Sequence, residues 1–255
     1  MTQGYHFIFF ALVANLCAFF CLLYRCRKAS LLILTLVSCA CAFSFFLRYF
    51  HAFPMLPMYA GLHGTLCLMV IFQLVSSTLP SFRKLEGVLL QGVIILLNLV
   101  LFLFPKDFYL PMFRSVTSWS HMFLLTGIMA RACLLMAVTK GACFLLVRPT
   151  RQQDKTGLAP ATSWGMWGFA WLSLSMFSGE FWSYLGWGTP VVWHDPAITT
   201  TMAIWFYWIA FLHLHYSRNW RSRDRAIFMV AGGILLLFSF WPDMGPFRSP
   251  FQWTP

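Results

Sequence analysis

The sequence predicts an all-α, polytopic membrane protein of about eight transmembrane helices with both termini outside. Three observations carry this. Of its 255 residues 60% are hydrophobic and only 10% charged, with a mean hydropathy of +0.71. A soluble domain of that size would need far more charged and polar surface. The apolar residues fall into windows long enough to cross a bilayer, and the basic residues sort to one side of those windows.

A span needs about 20 apolar residues, and eight such windows fit, at roughly 5–24, 29–50, 58–78, 86–105, 118–142, 163–182, 198–217 and 226–241. The first lacks a basic leader, and its positive flank (Arg25, Arg27, Lys28) follows the apolar run. It therefore reads as a retained span with its N-terminus outside rather than a signal peptide. With that start, Arg25, Arg27, Lys28, Arg83, Lys84, Arg148, Arg151, Lys155, Arg218, Arg221, Arg223 and Arg225 face inward. Only Arg48, Lys106, Arg114 and Arg248 face outward, the asymmetry expected of the positive-inside rule.

The net charge of +11 is thus a matter of topology, and no nucleic acid is expected as a partner. Membrane lipid is. Residues 51–57 read as a proline-broken turn, 106–119 as a segment lying on the membrane surface, and 147–162 as a hydrophilic inner loop. That loop separates five spans from three, and residues 1–255 read as a single membrane domain. The eight cysteines show no CxxC or Cys/His metal spacing and read as small packing residues.

The least ordinary stretch is 178–196, SGEFWSYLGWGTPVVWHDP. It holds Trp182, Trp187 and Trp193 among Gly186, Gly188 and Pro190, residues that permit tight turns and leave aromatic faces exposed. It reads as irregular, and either as an interfacial anchor or as a platform for a flat ligand. Trp164, Trp167, Trp171, Trp205, Trp208 and Trp220 fit an ordinary aromatic belt.

Ionisable groups within spans are costly and mark candidate sites. His121 opens the fifth span at the outer surface, and His213 lies inside the seventh. His215 is about 200° around the helix from His213, so the two cannot face one ligand. His213 is open to two readings, an interhelical hydrogen bond or a metal ligand. Arg131 sits near mid-span without an acidic residue at its depth in the sequence. It would be satisfied by an anionic ligand such as a carboxylate-bearing cofactor, by a water-filled cleft or by backbone carbonyls. With His121 and His194 on one side, the platform reading of the indole-rich segment suits a planar porphyrin, whose iron histidine ligates.

Trp182 to Pro196, followed by a span ending Phe211-Leu212-His213, resembles the tryptophan-rich WWD signature of the haem-handling cytochrome c assembly proteins. Within that superfamily the chain is most similar to the CcsA (ResC) subunit of system II cytochrome c synthase. Leu110-Pro111-Met112 and Ser118-Trp119-Ser120-His121-Met122 resemble the approach to the family's external haem-ligand histidine, and Phe53-Pro54 also has a counterpart.

The resemblance implies haem b as substrate or bound ligand, a ResB-like membrane partner, a CxxCH apocytochrome and residence in a bacterial inner membrane. It also implies that His213 is the transmembrane ligand, His121 the first external one, and Trp182, Trp187, Trp193 and Asp195 parts of the haem-handling signature. Asp195 also suits the N-cap of the seventh helix.

Two departures stand out. The tail after the last span contains no histidine, where the family has its second external ligand. And His194 interrupts the Trp-Asp-Pro run, with Ala197 and Ile198 replacing the usual Lys-Glu. Either His194 serves as the missing ligand or a partner fills that position. Arg131 is read as facing a haem propionate at the depth of His213. The rival readings are a haem carrier without ligase activity and a di-haem subunit that oxidises quinol, for which His63 is the one further histidine to set against His213.

Overall fold

A computed structural model describes residues 2–24, 26–52, 57–79, 83–103, 117–147, 157–191, 193, 196–215, 217 and 220–238. These residues are helical with short turns and no strand, as an all-α polytopic membrane protein requires. The helices are α1 (Thr2–Leu23), α2 (Arg27–Ala52), α3 (Pro57–Thr78), α4 (Lys84–Leu103), α5 (Ser118–Leu146), α6 (Ala159–Trp187), α7 (Pro196–His215) and α8 (Ser222–Phe238). Each overlaps one of the expected windows over most of its length. Helices α1 to α5 each hold an apolar stretch of 18 residues or more, sufficient to cross a bilayer, and α7 holds a shorter one, Ile198–Leu214.

The chain forms two compact units, Met1–Tyr109 and Leu110–Pro255. In the first, α1 packs on α2 and α4, and α3 packs on the same two, so the four helices close a ring. Gln91 of α4 donates to both the backbone and side-chain oxygens of Asn15 on α1, at 3.0 and 2.9 Å. The Lys84 ammonium caps the end of α1 by donating to the Leu23 carbonyl at 2.8 Å.

The second unit closes an equivalent ring, in which α6 and α8 each pack on both α5 and α7. Its axis is the α5–α6 pair, built on small residues. A methyl group on Gly168 would stand 2.6 Å from Leu134 Cδ2 and 3.0 Å from the Leu134 backbone nitrogen. One on Gly179 would stand 2.9 Å from the Phe123 ring. Ser175 donates to the Phe123 carbonyl at 2.8 Å across the same interface. Close approach of this kind supplies most of the packing between helices where both are surrounded by lipid. Gly232 and Gly233 of α8 admit Tyr207 and Val138 in the same way.

Trp208 corrects the aromatic-belt reading. It is fully buried at the centre of this unit, against Gly165 and Gly232 and edge-on to Phe211. Trp205 is likewise used inside the protein, its Nε1 donating to Ser173 Oγ at 2.9 Å. Periodicity could not separate these from belt residues, because α7 is apolar all round.

Candidate functional site at the two ends of the second unit

The site begins with how α5 starts. Thr117 is an extended N-cap that accepts from the Ser120 backbone N–H, while Ser120 Oγ accepts from the Thr117 N–H, a reciprocal capping box. This fixes the first turn, and His121 follows directly, its own N–H donating to the Thr117 carbonyl at 3.3 Å. His121 is half-buried. Beside it, Trp119 stacks on Phe181 of α6 with ring centroids 4.6 Å apart and 23° between planes. Both rings present exposed surface.

The tryptophan-rich segment differs from the sequence reading in its first half. Residues 178–187 continue α6 as regular helix, and only Gly188, with φ 72°, leaves it. Gly186 is therefore a helical residue rather than a turn. The reason is that α6 gains the whole length of α5 as a packing surface, which outweighs the local preference of Gly and Ser for turns. As a result Trp182 is 7% exposed and packs on Phe123, centroids 5.8 Å apart, in place of the open platform expected.

Beyond Gly188 the chain folds back on α6. The buried Ser183 hydroxyl donates to the Thr189 carbonyl at 2.8 Å, and Thr189 Oγ1 donates to the Val191 carbonyl at 3.2 Å. Trp193 stands 65% exposed beyond this tie. Helix α7 then begins at Pro196, the position after Asp195. His194 and Asp195 lie outside the described residues, as does the Trp187 side chain. Loss of the Ser183 hydroxyl should loosen this turn. In Ser183→Ala, proteolysis between 188 and 195 is expected to accelerate severalfold while the helix content is unchanged, and equal rates would show that the tie does not hold the segment.

His213 lies two residues before His215, the last described residue of α7. His213 is exposed, and its Nδ1 lies 2.8 Å from the Ile209 carbonyl one turn back. A carbonyl can only accept, so Nδ1 carries the proton and Nε2 presents its lone pair outward. That is the tautomer a metal-ligating imidazole needs, held by a second bond in the usual way. Thr199, Ala203, Phe206 and Ala210 share this exposed face of α7.

Arg131 and His213 stand on different helices, α5 and α7. Gly165 contacts Ala137 of α5 and Trp208 of α7 at 3.9 and 3.5 Å from its virtual methyl, which sets a common level. Arg131 stands six residues, about 9 Å, to one side of that level and His213 five residues, about 7.5 Å, to the other. His121, sixteen residues from Ala137, is about 24 Å away towards the α5 start. The two candidate ligands thus occupy opposite ends of one bundle.

Sequence reasoning missed Phe123 and Phe181, whose roles depend on the register between α5 and α6. It also missed Ser183, an unremarkable helical serine until the turn folds over it. Among the described residues no three His, Cys, Asp or Glu side chains gather as a metal site. The arrangement has an imidazole at each end and aromatic faces at one.

No protein-family model matches the chain. Two curated relatives are cytochrome c biogenesis proteins CcsA. That of Prochlorococcus marinus (strain MIT 9515) is 34% identical over 73 residues, 29% of this chain and 23% of that protein. That of Thermosynechococcus vestitus (strain NIES-2133 / IAM M-273 / BP-1) is 35% identical over 65 residues, 26% and 20% of the two chains. The matched segments span less than a quarter of those relatives. Among solved structures, the cytochrome c haem lyase CcmF shares the fold with a TM-score of 0.61 over 95% of this chain and 49% of its own, at 15% identity. In sequence over more than a quarter of its length, and in fold over nearly all of it, the chain is similar to proteins of cytochrome c assembly, the superfamily its tryptophan-rich segment resembles.

Proposed function

We propose that this chain is the membrane subunit of a cytochrome c synthase that moves haem b to the external face of a bacterial inner membrane. There it presents haem for covalent attachment to a CxxCH apocytochrome, acting with a ResB-like partner. The observation that carries this reading is the His213 imidazole, exposed with Nδ1 tied to the Ile209 carbonyl and Nε2 directed outward. A histidine kept only for interhelical contact would place its ring in the interior. Similarity to proteins named for cytochrome c biogenesis and haem lyase activity supports the same reading.

Haem is the substrate here, and its chemistry is the addition of a thiol S–H across a vinyl double bond, from which nothing leaves. The chain's own part is orientation. His213 receives iron at one end of the bundle. His121 would receive it at the other, beside the Trp119–Phe181 stack and Trp193, with His194 as the second external ligand. Trp182 backs this shelf from within the α5–α6 interface, while Trp187 and Asp195 belong to the same segment. Arg131, half-buried on α5, would meet a propionate of haem held near His213. Holding iron and thiols in one geometry makes the encounter a positioned reaction.

The test is co-expression with a ResB-like neighbour and a CxxCH reporter in a host without its own maturation system. Haem-stained reporter is expected with the native chain and its loss with His121→Ala and with His194→Ala. Native haem spectra and maturation in His194→Ala would remove that residue from the site and favour a ligand from the partner. Haem that co-purifies and transfers without ever maturing a reporter would replace the synthase reading with that of a carrier.

A further inference from the structure

The first unit, to which the haem reading assigns no role, holds a polar node of its own. All four of its helices contribute to a small cavity lined by Cys41 and Ser44 of α2, His63 and Leu66 of α3, and Asn98 and Leu101 of α4, with apolar residues of α1 closing it. It lies towards the end of the bundle where α1 and α3 begin and α2 and α4 finish. Asn98 is fully buried, and neither its Nδ2 nor its Oδ1 meets a protein hydrogen-bonding group among the described residues. The Ser44 hydroxyl, 5% exposed, is in the same condition. His63 is 3% exposed on the same wall.

An amide placed in an apolar bundle without partners is among the costliest arrangements a membrane protein can hold. Leucine at the same position would carry no such cost. We infer that the Asn98 amide, the Ser44 hydroxyl and His63 together bind one resident water molecule within the first unit.

Size and chemistry decide the ligand. The cavity offers ≈ 10 Å³ of water-accessible room, about that of a single water and too little for an organic molecule. Only one histidine and one cysteine line it, and no three metal-ligating side chains gather among the described residues, so a metal ion lacks its ligand set. Water needs two to four polar partners to stay in an interior. Asn98 offers both a donor and an acceptor, Ser44 a hydroxyl that serves either way, and His63 a ring nitrogen. Gln73, also buried without protein partners among the described residues, does not line the cavity and is not part of this site.

The test is X-ray radiolytic footprinting of the full chain in lipid nanodiscs, in which a bound water generates hydroxyl radical where it sits and marks the side chains around it. Leu101 and Leu90 are a matched pair: both lie on α4, both are 0% exposed, and only Leu101 lines the cavity. Leu101 is expected to be oxidised about tenfold faster than Leu90, at a rate far above what its burial allows. In Asn98→Leu, which fills the space and removes both polar atoms, that difference should vanish while Leu90 is unchanged. Equal labelling of the two leucines in the native chain would overturn the inference, and needs no variant to fold. Persistence of the difference in Asn98→Leu would overturn it as well.

Discussion

Gly168→Val is expected to lower the melting temperature of the protein by roughly 5–10 °C, the largest loss of any single substitution considered for the second unit. The methyl of alanine alone would meet Leu134 Cδ2 at 2.6 Å and the Leu134 backbone nitrogen at 3.0 Å. The first contact can be relieved by a rotamer change, the second only by moving α5 from α6. Alanine would gain about 1 kcal/mol in helix propensity over glycine. Overpacking costs about 1–3 kcal/mol, and the second branch of valine adds to it. Gly168→Ala should therefore be mildly destabilising and Gly168→Val severely so. In the double variant with Leu134→Ala, only the side-chain part of the loss should return, because the backbone nitrogen stays. Thermal unfolding followed by size-exclusion chromatography reads all of these, and a Gly168→Val protein as stable as the native one would mean that α5 and α6 are not in close backbone contact.

His213→Ala is the substitution with the greatest expected effect on haem. Loss of one iron ligand should reduce co-purified haem on the order of tenfold, with the remainder shifted in its visible spectrum. Added imidazole should restore both, because the Thr199–Ala203–Ala210 face of α7 leaves the ligand position open from outside. His213→Gln is a useful companion, since it keeps size and hydrogen bonding but cannot ligate iron in the same way. Stability should be unaffected, as the side chain is exposed and its one protein bond is to its own helix. Full haem content in His213→Ala would leave the proposed transit without its inner station.

Most of the fold was legible in the sequence, because in lipid the apolar windows must be helices and their lengths are set by the membrane. The window drawn over 118–142 lies within Ser118–Leu146, and that over 163–182 within Ala159–Trp187. The sequence is weaker where a helix continues against its local composition. Ser178 to Trp187 looks irregular by its glycines, yet it remains helical because α5 lies along it. The site was legible as residues but not as geometry. His121 and His213 could be singled out from their cost in a span. Their placement at opposite ends and the burial of Trp182 and Trp208 depend on register between helices, which has no local signal.

The two closed rings bear on the order in which the protein is made. Helix α4 returns to α1, so the first ring can close once Leu103 has left the ribosome and entered the bilayer. The second cannot close until α8, ending at Phe238, arrives to join α7 to α5. Until then Gly141 of α5, which will meet Met229, and the Tyr207 ring that will stack on Phe228 are open to lipid or to other chains. Biogenesis therefore leaves the second unit open longest, and a chaperone or insertase would have most to protect in the interval between α5 and α8.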